Sequence, residues 1–262
     1  ENVCGLLTSH GGDDFRLLCQ QVSNSGYRFG AITVDAAHFV PQSRPRLFVI
    51  GVREDLTFEG ADHPTTYWHS ARLIEAARAL SEPLKMRWVW FRLPSPPLRN
   101  HRLADLLEPD DGLSNWHTDD HTQLLCSMMS EANRRKLDMA LSSRGRHIGA
   151  VYKRTRIENG VRVQRAEVRF DGLAGCLRTP GGGSSRQTIL VVDDGAIKSR
   201  LLTAREASRL MGLPDEYVLP QNFNEALHLT GDGVAVPVVR FLSQHVIEPI
   251  LDGGRCYKAI AA

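Results

Sequence analysis

Two short apolar runs, residues 28–34 (RFGAITV) and 47–52 (LFVIGV), do most to constrain what this chain can fold into. Each is rich in β-branched and aromatic residues, has the length of a strand and is bounded by Gly, Pro or Ser. Residues 13–23 precede them, with Phe15, Leu17, Leu18 and Val22 at helical spacing and Gly26 at the exit. A loop through Pro41, Gln42 and Ser43 separates the two runs. Helix, strand, loop and strand in that order predict an α/β fold, with the first 52 residues as the closing part of a domain. Arg44 and Arg46 stand two apart at the mouth of the second run. Paired guanidinium groups there are either solvated charges or partners for an anionic or polar group at the strand edge.

The 262 residues, 42% hydrophobic and 24% charged, allow one large domain or two smaller ones with a sizeable core. No apolar run approaches the roughly 18 residues expected of a membrane span, and the N-terminal residues do not read as a signal peptide. Cys4, Cys19, Cys126, Cys176 and Cys256 are scattered and form no CxxC pair. That excludes a disulfide framework or structural zinc as the expected scaffold and predicts a reducing, cytoplasmic setting without a metal. The net charge of +2 conceals an asymmetry. Between Arg144 and Arg186 stand ten Lys or Arg against Glu158, Glu167 and Asp171. A local basic segment in a near-neutral chain is either a solvated face or one that meets a polyanion.

From residue 54 to 198 the pattern loosens. Proline clusters appear at 93–98, residues 69–80 and 122–141 read as helices, and 161–170 alternates as a strand with a charged face. Residues 181–185 (GGGSS) read as a flexible loop. Order returns at 202–217 (LTAREASRLMGLPDEY), where Thr203 and Glu206 have capping-box spacing and Gly212 and Pro214 end the helix. The Gly231-Asp232-Gly233 turn is expected to open a final helix over 234–251, with Pro237 tolerated in its first turn.

Singly these motifs are weak. In order, they are Glu1-Asn2-Val3, then PQSRPR at 41–46 leading into a strand, a long variable region, RLLTAREASRLMGLPDEY at 200–217 and TGDGVAVPVV at 230–239. That succession resembles the C-terminal half of the DNA (cytosine-5) methyltransferase family over nearly the whole chain.

The resemblance implies a fold, a reaction and a set of roles. The fold is the second half of a Rossmann-like S-adenosylmethionine-dependent domain plus a smaller, irregular α+β target-recognition domain. The implied boundaries are 1–53 and 226–262 for the catalytic part and 54–225 for recognition. The reaction is methyl transfer from S-adenosylmethionine to cytosine C5 in double-stranded DNA. The base is flipped out of the stack, and covalent addition of a cysteine thiolate to C6 makes C5 nucleophilic. Glu1 matches the family glutamate that supports electron flow towards N3, and Arg44 and Arg46 match the arginines of the flipped-base pocket. Asn2 and Gln42 read as structural. Asp232, Gly233 and Val234 are the candidate cofactor contacts, with a turn and cap as the bland alternative. Arg144, Arg146, Lys153, Arg154, Arg156, Arg178 and Arg186 are candidate DNA contacts, each either a phosphate or base partner or simply solvated.

Two family features are missing from these residues. No FxGxG loop occurs, and none of the five cysteines follows a proline. The chain alone is therefore expected to be inactive, as a fragment or as a split subunit whose partner chain supplies the nucleophile and cofactor loop. The alternative from another class is a non-catalytic DNA-recognition module. Cys4 reads as a small buried residue rather than a replacement nucleophile.

Overall fold

The computed structural model describes residues 1–65, 67–179 and 186–253. The expected loop at 181–185 and Cys256 lie outside the described residues. The chain forms two compact units: residues 1–36, 45–97 and 237–262, and residues 37–44 and 98–236. These divide at 97/98 and 236/237, whereas the motif reading divides the chain at 53/54 and 225/226.

In the first unit, β1 (Asn2–Val3), β2 (Tyr27–Asp35) and β3 (Pro45–Arg53) form an antiparallel sheet in the order β1-β3-β2. The two long strands pair from Tyr27↔Arg53 to Asp35↔Pro45. Both pairings are antiparallel, so this sheet contains none of the parallel crossovers of a doubly wound fold. Helix α1 (Asp13–Asn24) lays Phe15 and Cys19 against Phe29, Ala31 and Leu47. Burial pushes the Cys19 thiol up to about 12, so it behaves as a core residue. Helix α2 (Ala71–Arg78) starts one residue after its cap, Ser70, whose hydroxyl accepts from Leu73 N. It adds Leu73 to the same core, and Trp88 meets Phe15 and Phe29 edge-on. The free edge of β2 is covered where Val89 N donates to the Phe29 carbonyl at 2.8 Å. Gly30 permits this approach, since a Cβ there would sit 2.0 Å from the Val89 carbonyl oxygen.

The second unit spans more residues and is regular where an irregular region is expected. Helices α3 (Glu82–Lys85) of the first unit and α4 (Asp119–Ser127) and α5 (Glu131–Ser142) of the second precede β4 (Arg146–Glu158) and β5 (Val161–Arg169) in sequence. With β6 (Thr188–Asp193) and β7 (Ala196–Leu201) these strands form an antiparallel sheet in the order β5-β4-β6-β7. Leu125, Leu137 and Ala140 of the helices pack on Val151, Val168, Leu190 and Val192 of the sheet. The single helix expected at 122–141 is broken, because the Met128 carbonyl leaves the helix to accept from Ala166 N of β5.

Helix α6 (Ala204–Leu210) opens on the expected capping box. The Glu206 carboxylate also accepts from Glu108 N and forms a two-pronged ion pair with Arg200, at 2.6 and 2.7 Å. Both residues are wholly buried, and the pair persists there because the two-pronged contact and the backbone donors to Glu206 offset the loss of water. Thr203→Ala is expected to lose about 1 kcal/mol of stability, the usual worth of such a cap. An unchanged urea midpoint would show that the Thr203 hydroxyl contributes nothing there.

Helix α7 (Phe223–Asp232) ends at Asp232, so Gly231 and Asp232 are its last turn and not the start of the next helix. The following helical segment runs from Val236 through a π-helical turn, Ser243–Ile247, to Leu251, with Pro237 in its first turn. By length and composition the stretch Phe223–Leu251 is apolar enough to cross a bilayer, which corrects the expectation that no such run exists. Its helix is interrupted between Asp232 and Val236.

Candidate functional site

The pairing of β1 with β3, Asn2↔Leu47 and Val3↔Arg46, carries Glu1 to Arg46 across 45 residues of sequence. The Glu1 carboxylate sits 2.8 Å from Arg46 Nε, with both side chains only 16% exposed. A second guanidinium nitrogen donates to the Pro45 carbonyl. Arg46 therefore orients the carboxylate on a sheet strand, the kind of rigid support that acid–base chemistry requires. Asn2 Oδ1 accepts from Val3 N at 2.8 Å and fixes the turn into β1, the structural role expected of it. Cys4 follows directly, and burial pushes its thiol up against the pull of the Arg46 charge. That is the opposite of what activates a nucleophile.

Gln42 and Arg44 belong to the second unit. Gln42 is fully buried: its amide donates to the Leu210 carbonyl at 2.8 Å and accepts from Leu177 N at 3.0 Å. Arg44 is 3% exposed. Its Nη1 donates to the Leu177 carbonyl at 2.9 Å, and its Nη2 to the Gly231 and Gly233 carbonyls at 3.1 and 2.8 Å. The last two oxygens lie at the C-terminal end of α7, where carbonyls lack helical partners and a cation is favoured. Arg44 thus holds backbone together within its unit, a role the pocket-lining expectation does not include.

The 232–234 segment is similarly committed. Asp232 Oδ1 accepts from the Thr179 hydroxyl and the Gly233 carbonyl accepts from Arg44. Gly231 is the glycine that close approach requires, since a Cβ there would sit 2.4 Å from Thr179 N. The close approach expected at Gly233 is to its own helix, with a Cβ 2.8 Å from the Leu229 carbonyl oxygen. These contacts engage the Asp232 carboxylate and the Gly233 carbonyl within their own unit.

The candidate DNA contacts divide into two sets. Arg146 chelates Asp110 at 2.8 and 2.9 Å. Arg154 and Arg156 share Glu167, and Arg154 also lies over the Tyr152 ring. Arg186 donates to Asn224 at 2.7 Å and lies over Phe223. Among the described residues, the side chains of Arg144, Lys153 and Arg178 make no hydrogen bond or ion pair. All three acids of the basic segment are paired: Arg165 donates to Glu158, which holds that carboxyl below its usual range, and Arg169 donates to Asp171. Three cations of this segment, Arg156, Arg165 and Arg169, line a groove of about 730 Å³ beside α5 together with nearby Lys136. Sequence reading missed Arg165 and Arg169, whose alternation with apolar residues in β5 was the available signal.

A family model described as C-5 cytosine-specific DNA methylase matches residues 1–248. The chain is 21% identical to the Type II methyltransferase M.MspI of Moraxella sp, over 94% of this chain and 44% of that protein. It is 22% identical to the Type II methyltransferase M.HhaI of Haemophilus parahaemolyticus, over 94% of this chain and 61% of that one. The chain spans about half the length of the first of its curated relatives. The crystal structure of a Spodoptera frugiperda DNMT2 mutant shares the fold with a TM-score of 0.53 and 16% identity, over 94% of this chain and 65% of that one.

Proposed function

The chain belongs to the C-5 cytosine-specific DNA methylase family, and from that premise we propose that it supplies the base-pocket glutamate and the DNA-binding unit of a DNA (cytosine-5) methyltransferase. The methyl donor of the family is S-adenosylmethionine. The observation that carries the reading is the Glu1–Arg46 pair, two motifs far apart in sequence held together on one sheet. In this reading a cytosine flipped out of duplex DNA meets the Glu1 carboxyl at N3 and the exocyclic amine. Arg46 orients that carboxyl as electron density moves into the ring. The first unit is then the second half of a Rossmann-like catalytic domain, and the second unit recognises the target. The relatives' Type II names fit a restriction–modification role in an intracellular enzyme.

The proposal includes inactivity of residues 1–262 alone, since they hold no Pro-Cys dipeptide and no FxGxG loop. An assay with tritiated S-adenosylmethionine and unmethylated bacterial genomic DNA tests it. The chain alone is expected to transfer no label. Joined to a polypeptide carrying the family's N-terminal half, it is expected to label cytosine C5, mapped by bisulfite sequencing. Binding of DNA with no transfer in any such combination would instead favour the non-catalytic recognition module.

A further inference from the structure

Among the described residues, β4 beyond Val151 has no strand beside it other than β5, so residues 152–158 and 161–167 form a two-stranded ribbon extending from the sheet. The Asn159-Gly160 turn closes it, with both residues at positive φ. In an antiparallel pair, residues directly opposite share a face. One face therefore carries Tyr152 with Glu167, Arg154 with Arg165, Arg156 with Val163, and Glu158 with Val161. The other carries Lys153 with Ala166, Thr155 with Gln164, and Ile157 with Arg162.

The two faces differ in what their charges do. On the first, Arg154 and Arg156 meet Glu167 and Arg165 meets Glu158, so each cation has an acid. On the second there is no acid. The side chains of Lys153, Thr155, Arg162 and Gln164 make no hydrogen bond or ion pair among the described residues. Lys and Arg on a ribbon also serve simply to prevent edge-to-edge pairing. That account does not explain Ile157 and Val161, which stand 75% and 62% exposed at the tip, where a solubilising design places polar groups.

The spacing is informative. Lys153 and Ile157 are four residues apart, about 13 Å at strand rise, and Arg162 stands opposite Ile157. The major groove of B-DNA is about 12 Å wide and admits a two-stranded ribbon, whereas side chains cannot read the deep, narrow groove of A-form RNA. Resting on the DNA reading above, we propose that the Lys153–Thr155–Ile157 face of the β4–β5 ribbon enters the major groove. Lys153 and Arg162 grip phosphates on its two sides, and the Thr155–Gln164 pair contacts base edges between them. Gln164 has the donor and acceptor that match an adenine edge, and Ile157 offers an apolar surface to a thymine methyl.

Fluorescence anisotropy of the full chain with a labelled 24-base-pair random-sequence duplex, at several salt concentrations, tests the phosphate contacts. Lys153→Ala with Arg162→Ala is expected to weaken binding roughly tenfold and to reduce the log–log salt slope by about 1.8, since each phosphate contact contributes about 0.9. Arg154→Ala with Arg156→Ala is expected to reduce the slope by less than half as much, because Glu167 already offsets one of the two charges. All four positions lie on the ribbon surface, and circular dichroism checks that each variant is folded. Selection from a randomised duplex pool tests base reading: Gln164→Ala is expected to relax preference at one base pair by about tenfold. Wild-type binding with an unchanged slope in the Lys153/Arg162 variant, or a slope carried by Arg154 and Arg156, overturns the assignment of this face. An unaltered site preference in Gln164→Ala removes its base-reading part. A wild-type chain that binds no duplex overturns the DNA reading itself, and this inference with it.

Discussion

Glu1→Gln is expected to cut methyl transfer at least about a hundredfold in an assembly competent for the reaction, while duplex affinity stays within about twofold. The substitution is nearly isosteric. Its amide oxygen can still accept from Arg46 Nε, which now holds the carboxylate at 2.8 Å, so the turn into β1 and its pairing with β3 have no reason to change. What is lost is the ability to give and take a proton beside the ring, and a general acid or base contributes on the order of 10²- to 10⁴-fold. Single-turnover transfer of a labelled methyl group, measured beside anisotropy of duplex binding, separates chemistry from binding. Equal single-turnover rates would remove Glu1 from the mechanism and leave the pair with Arg46 as a structural clasp. Arg46→Lys gives a second reading of the same pair. It keeps the positive charge but not the planar fork, so a role in orienting Glu1 predicts a lower transfer rate with little change in binding.

The elements that depend on local pattern were legible. Helix α1 and strands β2 and β3 lie within two residues of the spans their apolar spacing suggests, and the Thr203–Glu206 box is present as read. Of the second unit's sheet only β5 was read, as the strand at 161–170, although the sheet's turns are written in the sequence. Asn159-Gly160 and Asp194-Gly195 are hairpin signals, and all four residues adopt positive φ. They were obscured because half of β4 and β5 projects as a charged ribbon, where the alternation is between cations and small or polar residues instead of apolar and polar ones. Gly231 illustrates the opposite error. Glycine-aspartate-glycine suggests a turn, but Gly231 is helical, and glycine stands there because a Cβ would meet the backbone of Arg178 and Thr179. The site shows the same division. Glu1 and Arg46 were identified from motif order, but their contact follows from strand register, which no local pattern specifies. The burial of Arg44 depends on carbonyls more than 130 residues away.

That burial gives Arg44→Met an expected loss of roughly 3–5 kcal/mol, a large fraction of the stability of an ordinary domain. The guanidinium donates to three backbone carbonyls, of Leu177, Gly231 and Gly233, and is 3% exposed. Methionine fills similar space but donates nothing, so these oxygens lose their partner in a place water reaches poorly, at about 1–3 kcal/mol each before relaxation. Lysine is expected to recover only part of the loss, because an ammonium on a flexible stem cannot serve carbonyls on two sides as a planar fork does. Urea denaturation of wild type, Arg44→Lys and Arg44→Met should therefore give midpoints falling in that order. The family resemblance implies a different part for this arginine, against the flipped base, and the same variants distinguish the two. A structural Arg44 predicts that Arg44→Met, assayed at a temperature where it remains folded, binds duplex DNA within about twofold of wild type. Unaltered stability with a loss of transfer or binding would instead assign the guanidinium to the base pocket, and would mean that the three carbonyls find other donors when it leaves.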